Sequence, residues 1–160
     1  MDIKTALQDV QQFKGGVIDT STLIYLERLG LLNRIATLYR LLVVPQVLQE
    51  FDRSLPAQII CVQAPPGDAD QALCPVASSH QLAVLSDDKH VLTLARSAGV
   101  VYFNTLMLLL LMLHNEQLSV AQCRAFLFKL FTFARYSDAV RSFGEQLLEH
   151  ILSERKRLTF

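Results

Sequence analysis

The sequence predicts a three-layer α/β/α fold with a central, mostly parallel sheet and a helical C-terminal third. Three observations carry this expectation. Short apolar runs of strand length (Leu41-Leu42-Val43-Val44, Leu82-Ala83-Val84-Leu85 and Val100-Val101-Tyr102-Phe103) alternate with stretches of helical periodicity. Strands separated by helices pair in parallel through right-handed crossovers. From Leu106 onward every periodic stretch is helical.

In chain order, Ala6, Leu7, Val10 and Phe13 mark a leading helix. Gly15-Gly16 is expected to break structure, and Val17-Ile18 then leads as a strand into Asp19. Thr20, Ser21 and Thr22 are N-cap candidates for a helix carrying Leu23, Ile24, Leu26 and Leu29. Leu31, Leu32, Ile35 and Leu38 mark another helix, with Arg28, Arg34 and Arg40 as solvated charges beside it. The run 41–44 is apolar throughout, as in a strand buried on both faces. Pro45 suits the first position of the next helix, whose Val47, Leu48 and Phe51 are expected to face inward, with Glu50 between them.

Ile59 to Val62 reads as a short strand, followed by the linker-like Ala64-Pro65-Pro66-Gly67. A helix is expected from Asp68 or Asp70, where acids suit a first turn. Pro75 conflicts with its interior, so either the helix starts later, near Cys74, or its turn there is distorted. Ser86-Asp87-Asp88 ends the strand at 82–85; Val91, Leu92, Leu94 and Ala95 continue as a helix stopped by Gly99. Asn104-Thr105 places polar side chains at the end of the strand at 100–103. Ser119 caps one later helix and Ser137-Asp138 opens the last, whose tail from Glu154 to Arg157 is charged and solvated. The Phe126–Phe133 stripe is either core or an exposed dimer face.

A length of 160 residues, with 51% hydrophobic and 19% charged, fits one globular domain over 1–160. Fifteen basic and fifteen acidic residues cancel, so no global nucleic-acid signature exists and phosphate binding would need a local patch or a metal. Cys61, Cys74 and Cys123 are odd in number and scattered, as buried thiols in a reducing cytoplasm are. No apolar signal core opens the chain. The apolar Leu106–Leu113 is far short of the roughly 20 residues that span a bilayer, so a cytoplasmic protein with no membrane partner is expected.

The chemistry lies in acids at strand ends: Asp19, Glu50 shortly after Pro45, and Asp87-Asp88, with Asp68 and Asp70 at a helix start. Parallel strands deliver their carboxyl ends to one edge, so acids distant in sequence converge there. Gathered carboxylates repel unless a hard cation such as Mg²⁺ or Mn²⁺ neutralises them. The plainer alternative is that each acid is a helix cap or dipole partner. No Gly-rich phosphate loop, no Gly-x-Ser-x-Gly and no metal-spaced histidine pair among His80, His90, His114 and His150 competes with these readings.

Val-Ile-Asp19-Thr-Ser-Thr-Leu-Ile, Val-Val-Pro-Gln-Val-Leu-Gln-Glu50-Phe and Val-Leu-Ser86-Asp87-Asp88-Lys-His-Val-Leu-Thr-Leu-Ala, in that order, resemble the PIN-domain nucleases. Gly99-Val-Val-Tyr-Phe-Asn104-Thr105 before a Leu-rich helix resembles their small prokaryotic, toxin-like subgroup. The likeness covers about 16–113 as a PIN-like core, leaving 114–160 as a helical extension. It implies metal-dependent hydrolysis of single-stranded RNA by Asp19, Glu50, Asp70 and Asp88, with Asp68 and Asp87 as rivals for the last two places. These residues would hold Mg²⁺ or Mn²⁺, with hydroxyls of Thr20, Ser21, Ser86 and Thr105 behind them. It also implies a toxin–antitoxin pair, with an antitoxin or other protein partner, and a homodimer. Two departures stand out: the stretch between Glu50 and Asp70 is short for the family, and Pro75 falls where the family has a regular helix. A PIN-like domain without catalysis, binding protein or RNA, is the alternative.

Overall fold

The structure, a computed structural model, describes residues 2–158. Two compact units emerge: Phe13–Thr105, and α1 (Ile3–Gln12) grouped with the chain from Leu106 onward. The boundary thus lies at Leu106, eight residues before the start of the extension expected at 114.

The first unit holds a five-stranded sheet in the order β3-β2-β1-β4-β5, every pair parallel. Its strands are β1 (Gly15–Ile18), β2 (Arg40–Val43), β3 (Ile60–Cys61), β4 (Ala83–Leu85) and β5 (Tyr102–Phe103). Its helices are α2 (Thr20–Leu29), α3 (Leu32–Leu38), α4 (Pro45–Phe51), α5 (Ala69–His80) and α6 (Lys89–Ser97), giving the predicted three-layer α/β/α class. The chain builds outward from β1 to β3 on one side, then returns to place β4 and β5 on the other. That reversal makes the carboxyl ends of β1 and β4 the switch point of the sheet, where open α/β sheets bind ligands.

Gly15-Gly16 does not break structure; it begins β1. A Cβ at Gly15 would lie 2.0 Å from the Arg40 carbonyl oxygen, so the glycine answers close strand approach. Val17 sits level with Leu42 and with Val84, and Val17, Ile18, Leu42, Val84 and Leu85 are all buried. Pro45 opens α4 as expected, and Val47 and Phe51 face inward, but Leu48 is 41% exposed. Helix α5 runs from Ala69 to His80 with Pro75 inside it, which overturns the late start, one of the two expectations at this proline. Pro75 lies on the exposed side, and the carbonyl whose helical bond it forfeits belongs to exposed Gln71, where water can serve it.

The second unit comprises α1, α7 (Thr105–His114) from Leu106 on, α8 (Val120–Phe131) and α9 (Asp138–Leu158), with α1 against α9. All residues from Leu106 to Leu113 are buried, consistent with a helix apolar on every side. Ser119 and Gln122 form a reciprocal capping box at the start of α8. In the aromatic stripe Leu127 and Leu130 are buried, Phe126, Phe131 and Phe133 half-buried, and the intervening Phe128 is exposed. The Arg155 guanidinium donates to the Leu113 carbonyl, so one residue of the expected solvated tail is tied down. Only Cys123 of the three cysteines is buried; Cys61 is exposed and Cys74 half-buried. Among the described residues no helix is long and apolar enough to cross a membrane.

Candidate functional site

Asp19 follows β1 directly, and its backbone N–H donates to the Leu85 carbonyl of β4, which fixes it at the switch point. It is the N-cap of α2; the predicted caps Thr20, Ser21 and Thr22 are instead the first residues of the helix. One carboxylate oxygen accepts the Thr20 N–H at 2.8 Å. The other accepts the Ser86 hydroxyl at 2.7 Å and the Ser21 hydroxyl at 3.3 Å. Asp19 is only 5% exposed. Burial holds its pKa above the ordinary carboxylate value, and the charges of Asp70 and Glu50 push the same way, against the Ser86 and Thr20 hydrogen bonds.

Glu50 lies on α4 and reaches back across the sheet edge, accepting the Thr20 hydroxyl at 2.7 Å. Asp70 lies in the first turn of α5. Its pKa is raised by burial first, then by Asp88, Asp68 and Glu50, with His90 opposing. The charges of Asp70 and Glu50 thus reach Asp19, and those of Asp88, Asp68 and Glu50 reach Asp70. His90, two residues beyond Asp88 in sequence, opposes those charges at Asp70.

The rivals separate clearly. Asp68 is the N-cap of α5, accepting the Gln71 N–H at 3.0 Å. Asp87, itself half-buried, is clamped by two buried threonines. Its carboxylate accepts the Thr22 and Thr105 hydroxyls, each at 2.6 Å, and the Thr105 N–H at 3.0 Å. Thr105 thus serves Asp87, and so does Thr22, a role the sequence reading did not assign. Asp88 caps α6 by accepting the His90 N–H at 2.7 Å, while its own N–H donates to the Ser86 hydroxyl at 3.1 Å. Ser86 and Ser21 are thus shared joints: Ser21 also accepts the Asp87 N–H at 3.0 Å.

The capping reading is accordingly true of Asp19, Asp68 and Asp88 as local geometry. Even with the capping bonds and His90 opposing, burial and neighbouring acids hold the carboxyl pKa values of Asp19 and Asp70 above the ordinary value. An all-oxygen, anionic donor set of this kind suits a hard divalent cation. As the side chains are placed, however, no group of three or more His, Cys, Asp or Glu among the described residues is close enough to hold a metal ion. Glu50 is engaged with Thr20, and Asp88 with the α6 N-terminus. No family model matches the sequence, and no curated protein matches it.

Proposed function

We propose that this chain is a metal-dependent ribonuclease that hydrolyses phosphodiester bonds of single-stranded RNA, as the PIN-domain nucleases it resembles do. The observation that supports the reading is the linkage of Asp19, Glu50 and Asp88 through Thr20 and Ser86 at the carboxyl ends of β1 and β4, with the carboxyl pKa values of Asp19 and Asp70 raised by burial and by neighbouring acids. Carboxylates so arranged gain from a cation that offsets their repulsion.

Asp19, Glu50, Asp70 and Asp88 would hold Mg²⁺ or Mn²⁺. Such an ion lowers the pKa of a bound water and offsets the charge that develops on the phosphate. The protein's own contribution is orientation. Ser86 and the Thr20 N–H fix both oxygens of Asp19, and Ser86 also fixes the backbone of Asp88. One hydroxyl thus sets the separation of two acids from different strands, an arrangement that precise ligand geometry requires.

The test is cleavage of an end-labelled single-stranded RNA with Mn²⁺ by wild type, Asp19→Asn and Asp88→Asn. Cleavage that requires the metal and disappears in both variants supports the nuclease. Folded wild type that neither cuts RNA nor binds Mn²⁺ overturns it. The second reading, a PIN-like binding module without catalysis, is favoured by the lack of a chelating group of three among the described residues. RNA retention by both variants, with no cleavage by wild type, is its signature.

A further inference from the structure

Glu50 and Asp70 sit on different helices, α4 and α5, with residues 52–68 between them in sequence. The side chain of Gln46 spans that gap. It lies one helical turn before Glu50 on the same face of α4. Its Nε2 donates to the Pro65 carbonyl at 2.9 Å and to the Gly67 carbonyl at 3.2 Å. Both partners are acceptors, so the amino group must face them and the amide orientation is fixed by chemistry. Its Oε1 is a buried acceptor with no donor among the described residues, so the amide is held by its amino end alone.

The segment it grips leads straight into the site. Gly67 is followed by Asp68, which caps α5, and then by Asp70. Gly67 holds φ at +123°, a region side chains avoid, and a Cβ there would lie 2.7 Å from the Gln71 Oε1. The backbone at Gly67 therefore takes a shape that glycine accepts and other residues resist, and the Pro65 and Gly67 carbonyls flanking it are the ones Gln46 holds.

We infer that Gln46 is a positioning residue: its amide fastens residues 65–67 to α4 and so sets Asp70 against Glu50. The inference rests on the nuclease reading for its purpose, though not for its geometry. Gln46 touches neither metal nor substrate in this scheme. Its removal should loosen Asp70 and leave Asp19 and Asp88 in place.

The experiment compares wild type, Gln46→Ala and Gln46→Glu. The second variant keeps the side chain's size and places acceptors where the donor was, so packing and hydrogen bonding are told apart. Hydrogen exchange of the Gly67 to Gln71 amides should quicken roughly tenfold or more in both variants, while the Thr20 and Asp88 amides exchange as before. Mn²⁺ binding, followed by its electron paramagnetic resonance signal, should weaken several-fold in both, and the Mn²⁺ needed for half-maximal RNA cleavage should rise with it. Unchanged exchange at 67–71 in both variants overturns the inference, as does quickened exchange with unchanged Mn²⁺ affinity. If wild type neither binds Mn²⁺ nor cuts RNA, the nuclease reading fails by itself. Exchange at 67–71 then still decides whether Gln46 fastens the loop.

Discussion

The two sides of the acidic edge are built differently. On the β1–β4 side, Asp19 and Asp87 have their carboxylates surrounded by hydroxyls and N–H groups, and Thr22, Ser86 and Thr105 are fully buried. On the α4–α5 side, Glu50 is exposed and held by one hydroxyl, and Asp70 is half-buried beside other acids. A carboxylate with several short donors has lost its rotamer freedom in folding; an exposed acid with one partner keeps most of it. The contrast teaches that the edge combines a fixed reference, Asp19, with acids able to adjust around it.

The largest expected effect separates chemistry from architecture. Asp19→Asn should lower Mn²⁺-dependent RNA cleavage by at least about a thousandfold, roughly 4 kcal/mol of barrier, while leaving the protein folded. Cleavage rates and circular dichroism on the same preparation check both halves.

Asp87→Ala should strike the fixed side instead. It strands the hydroxyls of Thr22 and Thr105 and the Thr105 N–H in a buried setting. A loss of about 3 kcal/mol is expected in urea denaturation. Were Asp87→Ala to match wild-type stability, the clamp would not be what holds this side rigid.

Ser86→Ala sharpens the comparison through pH. It removes one donor to Asp19 and the acceptor of the Asp88 N–H, costing about 1–2 kcal/mol at neutral pH. The folded pKa of Asp19 is raised, so its protonated form favours the fold. That contribution is complete below the ordinary value of 3.8 and is lost as pH rises through the folded pKa. The Ser86 hydroxyl favours the ionised form, so deleting it raises the folded pKa further. The variant should therefore lose more stability relative to wild type at neutral pH than near pH 4, as paired urea titrations would show.

The smallest effect is a control in the other unit. Ser119→Ala breaks the capping box of α8 and should cost about 1 kcal/mol without altering Mn²⁺ binding or RNA cleavage. A change in cleavage would show that the helical unit bears on the acidic edge.

Much of this was legible in the chain. The apolar run 41–44, Pro45 at the start of α4 and the Ser119 cap are local signals, and local signals survive folding unchanged. The placing of Asp19 and Asp88 just beyond β1 and β4 is legible because strand ends share one edge in any parallel sheet, and the placing of Glu50 and Asp70 on helices because Pro45 and the acids at 68 and 70 are helix-start signals. Less legible was the fate of neighbours. Nothing in Ser86-Asp87-Asp88 says that one carboxylate turns inward to two threonines and the next outward to cap a helix. Gly15-Gly16 and Pro75 misled for a related reason. Backbone propensity disfavours both, while the close approach of Arg40 in one case and the exposure of Pro75 and Gln71 in the other allow the structure observed.

By itself, then, the sequence determined the α/β class, the order of strands and helices, and which acids lie at strand and helix ends, because hydrophobic periodicity and turn chemistry act over a few residues. Only the tertiary structure decided that β1 sits between β2 and β4, that Asp87 is a clamp while Asp19 is a reference, and that Gln46 spans the helices bearing Glu50 and Asp70. These depend on contacts between residues about 20 to 67 positions apart, such as Asp87 with Thr22 and Ser86 with Asp19. Such contacts form where the packing of the whole sheet brings side chains together, and no short stretch of sequence encodes them.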